Sequence, residues 1–190
     1  MATRPRSSAP LPVTFTVGTL LVAVFLATSG VDQVQAKKVL LMEGFDPEKV
    51  QGQWFVVRRN TELFDSVKCI KYNLKHDPAV EDLYEMTTYW INSAGAYEQT
   101  HFNIVDDRKL KARYFFESKR DKVAMNVLGT DYNSWLVGYG VNGDRETYYV
   151  SMRTKTFTKE IADAVNVVLK KNEVDRDWAD VEQMDCPAEH

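Results

Sequence analysis

Val50-Gln51-Gly52-Gln53-Trp54-Phe55-Val56-Val57 opens the first part of this chain that reads as a strand, and the fold turns on it. Just upstream stands Phe45-Asp46-Pro47, a turn signal, because Pro fixes φ and turns the residue before it away from the α region. Gly52 permits a sharp backbone bend at the strand entry. Trp54 supplies a ring large enough to plug one end of an enclosed space. A core Trp after a turn would read the same way. Gly-x-Trp therefore takes its meaning from the residues downstream: Thr130-Asp131-Tyr132, Arg153, and the cysteines Cys69 and Cys186.

Working outward, residues 53 to 153 read as a meander of short strands. The predicted strands are 53–59, 66–75, 82–91, 96–105, 109–116, 122–128, 134–141 and 145–153. In the second, Ile70, Tyr72 and Leu74 share one face, and Cys69, Lys71 and Asn73 the other. In the sixth, Val123, Met125 and Val127 alternate with Ala124, Asn126 and Leu128. Asn142-Gly143 is the preferred pair for a tight type I′ turn in the last hairpin. The first connection, through Leu63 and Phe64, is unusually apolar for a loop. Hairpin-length connections without interposed helices imply an antiparallel sheet. Eight such strands with two largely apolar faces suggest closure into a barrel, with a sandwich as the alternative.

After Arg153 the period changes. Ile161, Ala164, Val165, Val168 and Leu169 follow the spacing of one helical face. Thr158 is the expected N-cap, and Glu160 and Lys170-Lys171 suit the two ends of the helix dipole. Such a narrow apolar stripe is expected to pack against the outside of the sheet.

At 190 residues, with 27% charged and 12% aromatic residues, the chain has the composition of one globular domain. Arg4 and Arg6 precede an uncharged run from Val13 to Ala27, then small residues. This predicts a secretory signal peptide over 1–36, cleaved within 29–36, and a domain over 37–190. A signal anchor is the alternative, but the run is shorter than the ~20 residues a spanning helix needs. Without those two arginines the chain is more acidic than its overall charge of −3, which gives no footprint for nucleic acid or an anionic membrane. In a secreted product, an even cysteine count argues for a Cys69–Cys186 disulfide. No Asn-x-Ser/Thr sequon occurs.

Taken together, the stretch after the leader resembles a lipocalin: an all-β, eight-stranded antiparallel up-and-down barrel with one C-terminal α-helix packed outside. Gly52 and Trp54 match the family's Gly-x-Trp at the first strand, and Thr130-Asp131-Tyr132 its motif between the sixth and seventh. Arg153 matches the Arg that ends the eighth strand. Cys69-Ile70 and Met184-Asp185-Cys186-Pro187 are most similar to the apolipoprotein D-type branch, including its arthropod members. That branch's second cysteine pair and its sequons have no counterpart here.

The resemblance implies that Arg153 lies across Trp54 and closes the narrow end, a contact favourable by ~0.5–2 kcal/mol. Asp131 is expected to bond neighbouring backbone N–H groups and fix a turn. These residues read as scaffold, with a receptor-facing loop at the closed end as the alternative. Period 2 and the family register assign an inward, ligand-binding set of Ile70, Tyr72, Leu74, Met125, Val127, Leu136, Gly138, Thr147 and Tyr149. Phe64 is expected to lid the cavity, and Gly138 and Gly140 to leave room in it. The implied partner is a small hydrophobic molecule: fatty acid, sterol, retinoid or pigment.

The implied function is that of a secreted carrier, not an enzyme, with no metal, cofactor, nucleic-acid partner or membrane span in the mature chain. One lipocalin branch isomerises prostaglandins with a cavity thiol, but both cysteines here belong in the disulfide. A haem carrier would need an axial ligand, and only His101 lies in a strand. The rival reading is an extracellular protein-binding or protease-modulating lipocalin acting through its open-end loops, with Leu63 and Phe64 exposed.

Overall fold

A computed structural model describes residues 39–60, 67–107, 109–117, 122–142, 145–174 and 177–187. The predicted signal peptide, Leu63, Phe64 and Gly143 lie outside them. A short 3-10 helix, Pro47–Val50, precedes the first strand; Asp46 caps it, its carboxylate accepting from the Glu48 N–H at 3.1 Å.

The strands are β1 Gly52–Asn60, β2 Lys68–His76, β3 Leu83–Ile91, β4 Tyr97–Asp106, β5 Arg113–Glu117, β6 Lys122–Thr130, β7 Trp135–Asn142 and β8 Arg145–Met152. The helix α1, Lys159–Lys171, and a ninth strand β9, Trp178–Asp180, follow. Each strand from β1 to β8 pairs antiparallel with the next in the chain, and β1 also pairs with β8, so the sheet closes into an up-and-down barrel. Closure leaves none of the eight strands as an open edge.

The fifth strand begins later than expected. Residues 109–112 form a turn instead, with Leu110 N–H donating to Asp107 O and Arg113 N–H to Leu110 O. Ala112, buried at φ 68°, marks where the chain re-enters the sheet.

Two apolar clusters sit on opposite sides of the barrel wall. The inner one includes Trp54, Val56, Tyr72, Met86, Ile104, Val127 and Leu136. The outer one joins Val57, Leu128, Val137, Tyr148, Val150 and Met152 to Val165 and Leu169 of α1. Thr158 caps this helix as expected, its hydroxyl accepting from the Ile161 N–H. Gly129 lets it approach, since a Cβ there would stand 2.8 Å from Val168 Cγ2.

The sequence reading missed β9. It pairs with the end of β1, through Arg58–Asp180, Arg59–Ala179 and Asn60–Trp178. Beyond it the tail crosses to β2: Cys69 N–H donates to Glu182 O at 2.8 Å. Gln183, 6% exposed, donates through Nε2 to Val56 O at 2.8 Å and to Ile70 O at 2.9 Å. The Cys69–Cys186 disulfide completes this seam, from outside the barrel wall.

Candidate ligand-binding cavity

The closed end follows from the Gly-x-Trp entry. Gly52 has φ 90°, a left-handed conformation that disfavours any side chain. A Cβ there would also stand 3.3 Å from an Arg153 nitrogen. Trp54 is fully buried and donates from its indole to Val50 O at 2.7 Å. Arg153 stacks on the ring at 3.8 Å and donates to Gln53 O at 3.0 Å and Lys49 O at 3.4 Å. Its guanidinium thus ties the start of β1 and the 3-10 helix to the end of β8.

The neighbouring turn is held by one carboxylate. Asp131 Oδ1 accepts from the N–H groups of Asn133 at 3.1 Å, Ser134 at 2.7 Å and Trp135 at 3.0 Å. Burial alone would raise its pKa, but these backbone donors together hold it below the ordinary 3.8. Thr130 is buried and its hydroxyl accepts from Tyr132 N–H. Tyr132 takes φ 68°, and its hydroxyl accepts from the Asp46 N–H at 3.0 Å. All three residues of the Thr-Asp-Tyr motif therefore shape and fasten the closed end.

Above this plug lies a cavity of about 250 Å³. Of the inward set, Ile70, Tyr72, Leu74, Met125, Val127, Leu136, Thr147 and Tyr149 line it together. Gly138 does not. It pairs with Tyr149 across the β7–β8 ladder, and a Cβ there would clash with Tyr149 Cζ and its hydroxyl. Gly140 stands likewise against Met125 Sδ. The room both glycines leave is taken by side chains of the opposite strand, so the sequence reading of free space at 138 and 140 is corrected.

Other lining residues come from the middle strands: Tyr84, Met86 and Thr88 of β3, Ile104 of β4, and Tyr114 and Phe116 of β5. The alternation of Tyr84, Met86 and Thr88 in the sequence already carried that signal. Phe45, Pro47 and Val50 seal the closed end. Val56, Arg59 and Asn126 complete the lining; Arg59 and Asn126 were not expected there.

Hydroxyls are the main polar feature of the wall. Tyr72 and Tyr149 are held neutral, their pKa values raised chiefly by burial. Tyr114 is raised mainly by burial as well, then by Asp106. These groups offer neutral donors in an apolar enclosure and no nucleophile activated for covalent chemistry. The chain's two cysteines are joined to each other, which leaves no thiol for catalysis. His101 is exposed on β4, with Nδ1 2.8 Å from Thr87 Oγ1, and does not line the cavity.

No protein-family model matches the sequence. Over 156 residues the chain is 25% identical to apolipoprotein D of Macaca fascicularis, covering 77% of this chain and 82% of that protein. Insecticyanin from the tobacco hornworm Manduca sexta superposes with a TM-score of 0.65 at 16% identity, over 76% of this chain and 84% of that one. The chain has the lipocalin barrel fold and is similar in sequence to apolipoprotein D. Lobster apocrustacyanin A1 shares the fold at a TM-score of 0.62 and 12% identity, over 72% of this chain and 78% of its own. The lipocalin motifs thus coincide with the closed end, and the cavity lies between that end and the mouth. No helix among the described residues is long and apolar enough to cross a membrane.

Proposed function

We propose that this lipocalin is a secreted carrier that encloses a small hydrophobic molecule in its barrel. The cavity carries this reading: it is continuous, of about 250 Å³, and lined mainly by aliphatic and aromatic side chains from all eight barrel strands plus the 3-10 helix. Each ~100 Å² of apolar ligand surface taken from water would contribute about 2.5 kcal/mol before ordering costs. Similarity to apolipoprotein D supports the same reading. So does the disulfide, which suits an oxidising compartment.

Mass spectrometry of an organic extract from natively purified protein tests the proposal. A recurrent apolar compound in near one-to-one ratio is expected. Protein that carries nothing, and takes up no lipid offered to it, would overturn the carrier reading.

A further inference from the structure

The bulge in β1 changes which of two adjacent arginines faces the cavity. Val56 pairs with Ser151 and Arg58 with Val150, so two steps along β1 answer one along β8. Val57 is the extra residue. Strict alternation from Trp54 and Val56 would turn Arg58 inward. With the bulge, Val57 joins the outer cluster, and Arg58 stays outside with Asp180 at 2.6 Å and over the Phe157 ring. Arg59 turns inward, opposite Tyr149, and is 7% exposed.

Among the described lining residues Arg59 is the sole charged side chain; the others are apolar, or neutral hydroxyls and one amide. It stands five residues beyond Trp54 along β1, next to the strand's last residue, Asn60. That places it at the mouth half, remote from the Arg153–Trp54 plug. The apolar depth between them is walled by Val56, Tyr72, Val127 and Leu136.

We propose that Arg59 makes the cavity selective for ligands with a carboxylate at one end of an apolar body, the carboxylate lying toward the mouth. The inference rests on the carrier reading and sharpens it to a ligand class. A guanidinium offers a planar fork that matches a carboxylate with two parallel hydrogen bonds. Such bonds gain strength where surrounding side chains exclude water. An ester or alcohol presents a weaker acceptor and no charge. The bound molecule then has one orientation: tail toward Trp54, head toward Arg59.

Calorimetric titration of delipidated protein with hexadecanoic acid and methyl hexadecanoate tests this, in the wild type and in Arg59→Gln and Arg59→Lys. Retinoic acid against retinol repeats the comparison with a rigid body and separates headgroup preference from chain shape. The wild type should favour each acid over its neutral counterpart by roughly tenfold to a hundredfold. Arg59→Gln should lose that preference by weakening the acids alone, its ester affinity reporting an intact barrel; Arg59→Lys should keep part of it. Equal affinities in the wild type, or an acid preference that survives Arg59→Gln, would overturn the role of Arg59 and leave the carrier reading standing. Uptake of none of the four compounds by the wild type would instead overturn the carrier reading beneath it.

Discussion

Arg153 makes three contacts that no other residue type could reproduce together. It covers the Trp54 ring at 3.8 Å and donates to two backbone carbonyls from separate segments. Arg153→Ala removes the stacking and those bonds at once and leaves the plug uncovered. It should destabilise the barrel by about 1–3 kcal/mol, read by urea denaturation, with no change in the compound recovered from the cavity. Unchanged stability would show that the stacking does not hold the closed end. At this scale the motif residues were legible, because each has a local job that its chemistry announces: Gly52 the positive φ, Asp131 the three N–H groups, Trp54 the plug. Arg59 was not legible. Alternation counted from Trp54 gives the wrong arginine, and a one-residue bulge leaves no mark in a run of apolar and basic residues.

The barrel's elements divide by how they announce themselves. The strands alternate over eight or more residues in all but β5, and α1 carries an apolar stripe with caps, so periodicity found them. β9 has three residues, too few for any period, and it is held by pairing with β1 and by the tail bonds beyond it. The start of β5 was misplaced for a related reason: residues 109–112 pattern like a strand, but their backbone closes a turn on Asp107. What the tail does is fill the gap where β1 and β2 part. Their pairing runs only from Gly52–Leu74 to Phe55–Lys71, and past that point Gln183 bridges Val56 O to Ile70 O. The disulfide anchors this bridge and spans a sequence separation of 117 residues. Replacing both Cys69 and Cys186 with Ser should therefore lower stability by about 3–5 kcal/mol, measured by denaturant titration against the oxidised wild type. Equal midpoints would show that the hydrogen-bonded seam holds without the covalent link.

The described residues form a closed barrel plugged at one end, and closure follows from the hairpin-length connections and two apolar faces that the sequence displays. The cavity within it was legible as a class but less so in shape. Eight of the inward residues do line it, yet the two glycines that suggested extra room are filled from across the sheet by Tyr149 and Met125. Substituting Gly138 would consequently disturb Tyr149 packing before it obstructed a ligand. Ile70 is a better place to intrude, since it lines the cavity, is only partly buried, and lies next to Cys69 on a braced strand. The most direct measurement is the uptake of a fluorescent fatty acid by delipidated wild type and by Ile70→Trp, each checked for thermal unfolding. The wild type should bind one molecule saturably, and Ile70→Trp should unfold normally yet bind at least tenfold more weakly. An Ile70→Trp protein with normal unfolding, unchanged affinity and unchanged stoichiometry would place the ligand outside the barrel and contradict the account.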